Sequence, residues 1–563
     1  MLAYFVKDDL EVMNKVMRTN THAISSAQFS PLKNRTFRAI WLAGLVSGLG
    51  WLIQTIAMSW LMATISSSNL MVALVQAATT LPPFLLSVVA GAIVDNFDRR
   101  KVMLIARCLM TAAGATLTTV VAVGFLDPWV ILGFSFLAGC GIAFNDPAWQ
   151  ASVGDIVDRR DLPAAITLTS VGFNTIRSIG PALGGIILAS FGPLTAFAVY
   201  TLCLAVPLIV VWRCRWQVRT SSLPREPLTT AICDGVRFGA MSAEIMSAIV
   251  RGILFGLAGI AVLALLPLVV RDHLQGGPVA YGALMAGFGG GALLAGFFSG
   301  FLRRILPEEG LLKLACFACA ACSVSLALTS SFSVAAVALT SGGAGWVIGW
   351  SGTNISVQWS SPRWIVGRTI SIYYALTNGG IAIGSWLWGA TAENYSLTAA
   401  LEGSAGALLL VAAIGILLPI HERVEADIAP SEAVHIPAVA LDLEPRSGPI
   451  MIKVDYVIPP EKLEAFLGLM SQRRRVQSRI GARQWTLLRN LQDPSRWTET
   501  FRTATWADYL RLKHRLTTAD KQLDERVFQL HAGVLPPSID LSIERPTTPI
   551  RKTVPLRPDI PQL

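Results

Sequence analysis

Charge is scarce in this chain. Only 15% of its 563 residues are Asp, Glu, Lys or Arg, against roughly 25% in an ordinary soluble domain. The deficit is uneven. Residues 1–420 hold 25 basic and 18 acidic residues, whereas the much shorter 421–563 holds 21 and 18. The first stretch has a membrane composition and the last reads as soluble, which excludes both one soluble globule and a mostly disordered chain. Histidine is sparse, six in all, and none falls inside an apolar segment. The eight cysteines show no paired extracellular framework, and free thiols are expected. Cys316, Cys319 and Cys322 share a helical spacing with no His or acid nearby, so they read as small packing residues and not as a metal site. No glycine cluster is preceded by a strand and followed by Gly-Lys-Ser/Thr, which disfavours an ATP-driven pump. No cofactor is expected. The net charge of +10 does not argue for nucleic acid, because the basic residues lie in short clusters between apolar segments.

What the chain has is apolar length. A spanning helix needs about 20 mostly apolar residues. Candidates lie near 38–64, 69–93, 102–123, 129–146, 164–190 and 194–212, then near 250–270, 279–302, 311–329, 332–355, 369–391 and 397–420. The reading is an all-α polytopic membrane protein with 12 transmembrane helices in two six-helix halves, 38–212 and 250–420, joined by a cytoplasmic central loop, 213–249. The first span belongs to a series, so it is not read as a cleaved signal peptide, and 1–37 is a polar cytoplasmic segment. Loops after even-numbered spans carry Arg99, Arg100, Lys101, Arg159, Arg160, Arg213, Arg303, Arg304, Arg363 and Arg368; the opposite loops offer little more than Asp127, Arg271, Asp272 and Glu393. Lys and Arg stay cytoplasmic, so both termini are expected there.

The halves look related. Asn174, Gly180 and Gly185 in the fifth span recur as Asn378, Gly384 and Gly389 in the eleventh, at a constant offset of 204. Parallel repeats around a midplane site are the usual build of a secondary transporter.

Three stretches carry candidate function. In Gly91-Ala-Ile-Val-Asp95-Asn-Phe-Asp98-Arg99-Arg100-Lys101, an acid at a helix end and an Arg pair can lock cytoplasmic helix ends together, or simply anchor them. The pattern resembles the major facilitator superfamily signature for this loop, with Asn96 and Asp98 departing from its commonest form. In Asn174-Thr-Ile-Arg177-Ser-Ile-Gly180-Pro181-Ala-Leu-Gly184-Gly185, small residues allow close helix approach and Pro181 bends the helix. This resembles the superfamily's antiporter motif. Arg177 lies near mid-bilayer, where a charge costs several kcal/mol without a cavity or partner; it reads as a substrate or gating residue, or as half of a structural pair. Asp146, at the cytoplasmic end of the fourth span, is the nearest acid in sequence that could interact with the fifth span, or it caps the loop at Pro147. Trp51, Gln54, Trp346, Trp350, Asn354, Asn378, Trp386 and Trp388 are candidates to line a central cavity, or to anchor helices at the interface.

The third stretch, Phe144-Asn145-Asp146-Pro147-Ala148-Trp149-Gln150 with Leu162-Pro163-Ala164-Ala165 and the Asn174 segment, resembles the transmembrane secretion effectors. This branch of the major facilitator superfamily includes the enterobactin exporter. The resemblance covers roughly 30–420 and implies a bacterial inner-membrane exporter of siderophores, drugs or other small molecules. It leaves the proton-carrying residue open.

After a linker, 421–447, strands and helices at Ile450–Ile458, Pro459–Arg479, Arg483–Leu491, Trp497–Thr505, Trp506–Leu516, Ala519–Leu530 and Ser538–Glu544 predict a small α+β ferredoxin-like cytoplasmic domain, 448–545. The tail 546–563 reads as disordered. The domain resembles the antibiotic-biosynthesis-monooxygenase-like fold, whose members pair into dimers, so a homodimer through it is open. His514 is its one acid–base candidate, but a solvated basic helix face explains it better, and Arg473, Arg474 and Arg475 read as an exposed face. A ligand-sensing or dimerising module is favoured over a catalyst. The expected partners are a small-molecule substrate and the lipid bilayer.

Overall fold

The computed structural model describes residues 30–158, 160–216, 228–362, 364–420 and 439–544. Most of the expected N-terminal segment, Arg159, Arg363, much of the 421–447 linker, the 546–563 tail and the side chain of Asp95 lie outside the described residues. The chain falls into two compact units, one of Met1–Arg219, Ile249–Asn354 and Tyr373–Ile420, the other of Thr220–Ala248, Ile355–Ile372 and His421–Leu563.

The first unit is helical. The first half supplies α1 (Arg35–Ile65), α2 (Asn69–Asn96), α3 (Arg99–Ala122), α4 (Pro128–Ile156) and α5 (Leu162–Arg213). Short polar residues start the first four of these helices by taking backbone N–H groups that have no intrahelical acceptor. Asn34 Oδ1 accepts from Thr36 and Phe37 at 2.9 and 3.2 Å, and Asp98 Oδ1 from Arg100 at 2.9 Å. After α6 (Leu228–Met241) come α7 (Ala243–Leu268), a π-helical turn at Val269–His273, α8 (Pro278–Ile305), α9 (Glu308–Leu328), α10 (Phe332–Trp359), α11 (Val366–Asn394) and α12 (Leu397–Ile414). Among the described residues, ten helices are long and apolar enough to cross a membrane.

The helices expected at 164–190 and 194–212 adjoin within Leu162–Arg213 and part at Gly192, whose φ of 80° and ψ of 175° are non-helical. That φ suits glycine, and Pro193 restarts the helix without needing an amide donor. The central segment is not merely a loop: it contains α6, and α7 begins at Ala243, ahead of the expected 250. Its polar residues, Asp234 and Arg237 among them, read as loop while lying on a helix.

In the second unit, β1 (Ile450–Val457), α13 (Leu463–Ile480), β2 (Arg483–Arg489), β3 (Arg496–Thr503), α14 (Trp506–His514), α15 (Thr518–Gln529) and β4 (Ser538–Ile543) follow the expected order, with ends shifted by a residue or two except that α13 begins four residues late, after a 3-10 turn at Pro460–Lys462. The sheet is antiparallel in the order β2-β3-β1-β4. Strand alternation puts Ile450, Ile452, Val454 and Tyr456 on the inner face, where they pack with Phe466, Met470, Tyr509, Leu512 and Val527.

That core also holds charge, which corrects the exposed reading of Arg473. Its side chain is 6% exposed, and Nε donates to both oxygens of Glu499, at 3.1 and 2.9 Å. Nη1 pairs with Asp524, while Tyr456 Oη and Trp485 Nε1 donate to Glu499 at 3.0 and 2.7 Å. A buried carboxylate is tolerable with so many donors. Burial pushes the Asp524 carboxyl up, against the pull of Arg473, and pushes the Lys513 ammonium down.

Candidate functional site

The two halves of the first unit are tied at one end, where α1 stops and α2 begins. Glu393, at the end of α11, accepts the backbone N–H groups of Asn69 and Leu70 at 2.5 and 3.3 Å, and Asn69 Nδ2 donates to Ala392 O at 3.3 Å. A carboxylate is well placed there, because the first N–H groups of α2 are unpaired and the helix dipole is positive. Arg271 mirrors this on the last turn of α1, donating to Ala63 O while Asp272 holds its guanidinium by two bonds, 2.6 and 2.9 Å. The rings of Trp60 and Tyr281 stack at 6.0 Å between them. Glu393, Asn69 and Arg271 thus bond across the halves at this end. Sequence reading counted Arg271, Asp272 and Glu393 only as sparse loop charges; no local pattern marks a side chain that caps a helix of the other half.

The glycines of α5 act along its length. A Cβ at Gly180 would lie 2.7 Å from Leu52, and one at Gly184 3.1 Å from Ile53 Cα, both on α1. Gly185 looks the other way, to α8, where a Cβ would lie 2.6 Å from Pro278 O and 3.1 Å from Gly282 Cα. Pro181 contributes its carbonyl to the same crossing, 2.5 Å from a Cβ placed on Gly282. The antiporter-like face therefore packs against its own half on one side and against the other half on the other. The repeat does the same: Gly384 meets Leu257 of α7, and Gly389 meets Ala73 and Leu70 of α2. Asn174 and Asn378 also match, each donating Nδ2 to the carbonyl four residues back, Ser170 at 2.9 Å and Tyr374 at 2.7 Å.

A polar and aromatic set is spread over both halves. Arg107 of α3, missed by sequence reading, is 8% exposed; Nη1 donates to Ser47 Oγ at 2.5 Å and Nε has no partner among the described residues. A single Arg among apolar neighbours gave no motif to find it by. Asp146 of α4 accepts from Asn145 Nδ2 at 3.0 Å, and its charge acts on Arg107 and, across the halves, on Tyr374 of α11. On that side Trp350 lies 6.3 Å from Tyr374 and 6.0 Å from Trp346, and Trp346 is 5.7 Å from Phe255. Asp146 and Trp350 are thus brought into one set. Gln54 is buried nearer its own helix, with Nε2 3.5 Å from Met58 Sδ. Trp388 corrects its cavity assignment: its Nε1 donates to Leu257 O at 2.8 Å and fastens α11 to α7.

Arg177 does not meet Asp146. Its guanidinium carbon lies 5.7 Å from the ring centroid of Phe288 on α8, and its carbonyl stands against Gly289. At the opposite end of the bundle from Glu393, Arg99 Nη1 donates to Asp155 Oδ2 at 2.7 Å and to Ala151 O at 3.1 Å, tying α3 to α4. Arg100 caps α5, donating to Val211 O at 3.1 Å and Trp212 O at 2.6 Å. Both arginines thus bind helix ends within the first half; Gly91 lies on α2 beside them in sequence, and Asp95 is on the same helix.

Two helical halves with repeated glycine crossings and hydrogen bonds between them are the build of a polytopic membrane transporter. The family model described as transmembrane secretion effector matches residues 26–547, and the chain belongs to that family. It is a multi-pass inner-membrane transporter and not an enzyme. It is 26% identical over 403 residues to the enterobactin exporter EntS of Escherichia coli O1:K1 / APEC, covering 69% of this chain and 92% of that one. It is 24% identical over 392 residues to the multidrug efflux pump Tap of Mycolicibacterium fortuitum, covering 68% and 95%. The staphyloferrin A transporter of Staphylococcus aureus is 25% identical over 289 residues, 49% of this chain and 66% of that one. Among solved structures, an auto-inhibited POT family peptide transporter shares the fold with a TM-score of 0.57 at 12% identity, over 69% of this chain and 97% of that one.

Proposed function

We propose that the chain exports a small molecule, a siderophore, drug or secondary metabolite, across the bacterial cytoplasmic membrane by alternating access coupled to the proton gradient. The observation that carries this reading is the set of bonds between the halves at the Glu393 and Arg271 end, with Asp146, Arg107, Tyr374 and Trp350 deeper in the bundle. Such an arrangement seals one side while a midplane site serves the other. The motif of α5 and the efflux and export relatives favour the outward direction. Asp146 is the coupling residue in this reading, and Arg177, Asn174, Gln54, Asn378 and Trp350 are substrate or coupling residues.

Twelve crossings follow if the α5 run counts twice, at its break, and α11 is added to the ten apolar helices. The basic loops put both termini in the cytoplasm. The strand order β2-β3-β1-β4 favours a ferredoxin-like, monooxygenase-like domain at the C-terminus. A catalytic role there has little support, since His514 is exposed on the last turn of α14. Pairing of two copies belongs to the same proposal and would use the outer edges of β2 or β4, which have no strand partner among the described residues. The test is proton-driven uptake of candidate compounds into inverted membrane vesicles. Uptake that collapses with the gradient supports the reading; uptake indifferent to it removes the coupling.

A further inference from the structure

The second unit contains an internal contact that no tethered, freely moving domain would need. Helix α6 offers Asp234, Arg237 and Phe238, and the 355–372 segment, the end of α10 and the start of α11, offers Trp364. The C-terminal domain meets them with the end of α13 and with Arg515. Arg515 Nη1 donates to Asp234 Oδ2 and to Ile480 O, both at 2.9 Å, and its guanidinium carbon lies 4.2 Å from the Trp364 ring centroid. Trp364 stands edge-on to Phe238 at 5.5 Å, and Phe238 lies under Arg479 at 5.3 Å. Arg237 donates to Ser478 O at 3.4 Å. Helix α6 sits close on the segment as well, because a Cβ at Gly235 would be 3.2 Å from Arg368 Cβ and 3.3 Å from Ile372 Cδ1.

The chemistry is that of an interface core. Arg515, Asp234 and Phe238 are 8%, 7% and 2% exposed. A desolvated guanidinium on an indole face, also bonded to a carboxylate, is a strong and specific contact, and removing one partner strands a buried charge. We propose that the C-terminal domain is an intramolecular clamp: its Arg479, Ile480 and Arg515 surface takes the chain's own α6 and 355–372 segment as partner, and by holding them slows the transport cycle. The slowing rests on the export reading above. Rocking of the halves must displace the ends of spanning helices or the segment joining the halves. A partner fixed to both adds its contact energy to that step.

The test uses the full chain in membranes and Asp234→Arg, which sets two cations against each other without altering the C-terminal domain. Hydrogen exchange at 355–372 and 478–480 should rise about 10-fold or more, and efflux should rise several-fold. Combining it with Arg515→Asp, which restores opposite charges but not the contacts of the guanidinium with Trp364 and Ile480 O, should bring both part of the way back. Trp364→Ala, removing only the ring, should act in the same direction with smaller effect. Unchanged exchange in both single variants overturns the docking. Raised exchange with unchanged or reduced efflux overturns the clamp as a brake. A chain that exports nothing even unaltered removes the export reading and the brake with it, while exchange still reads the docking.

Discussion

Gly185 and Gly389, 204 positions apart in the sequence, make the same kind of crossing in opposite directions. A Cβ on Gly185 would lie 2.6 Å from Pro278 O in the second half, and one on Gly389 would lie 2.6 Å from Ala73 Cβ in the first. Each half thus sends one glycine-lined helix against the other.

Substitution at these two points should stop transport equally. Gly185→Leu and Gly389→Leu each force backbones apart, an overpacking cost of about 1–3 kcal/mol. Efflux should fall at least about 10-fold while the protein stays in the membrane. Gly290→Leu, where nothing lies within 4 Å of a Cβ, is the control and should transport normally. Efflux and membrane abundance measured together decide it.

The tie at Glu393 should govern how long one end stays shut. Glu393→Gln keeps the shape but weakens two bonds to a helix N-terminus. Charge-assisted bonds contribute about 1.5–3 kcal/mol, so the sealed state should lose roughly 10- to 100-fold in population. A cysteine placed at Ser59, near the end of α1, should become more reactive towards an external, membrane-impermeant thiol reagent. Unchanged reactivity would show that the tie holds nothing.

Arg99 and Asp155 should behave as one unit. Their side chains are 23% and 5% exposed, so the pair is sheltered and more valuable than a surface ion pair. Arg99→Ala and Asp155→Ala should reduce stability by similar amounts, about 1–3 kcal/mol, and the double variant should cost little more than either. Thermal unfolding of the purified chain gives the cycle; full additivity would mean the two residues act separately.

In the C-terminal domain, Glu499→Leu should be severe. It leaves Arg473, Tyr456 and Trp485 without their common acceptor, a loss of about 3–5 kcal/mol for breaking one side of a buried pair. Hydrogen exchange at 450–457 in the full chain should rise strongly. Arg474→Ala, whose side chain lies over Trp485 at 5.8 Å, should change it little.

Sequence reading reached the spans because apolar length is a local property, and it reached the two halves because Asn174, Gly180 and Gly185 have counterparts at one offset. It found the glycine face of α5 but not its targets, since which helix meets a glycine depends on the fold. It misjudged Arg473 because a run of three arginines looks solvated; the partner of the first, Glu499, lies outside its helix, on strand β3. Arg107 and Asp155 went unseen for a related reason: their partners Ser47 and Arg99 are brought close from far away in the chain. The pairing offered for Arg177 and Asp146 followed nearness in sequence, and the structure gives Arg177 the ring of Phe288 instead.

The account stands or falls on export. The direct measurement compares small molecules inside and outside cells that lack the chain, express it, or express Arg177→Ala. One compound should accumulate inside without the chain and appear outside only with the intact chain, and Arg177→Ala should abolish its release while remaining in the membrane. Identical distributions in all three would contradict export, and normal release by Arg177→Ala would remove that residue from the mechanism.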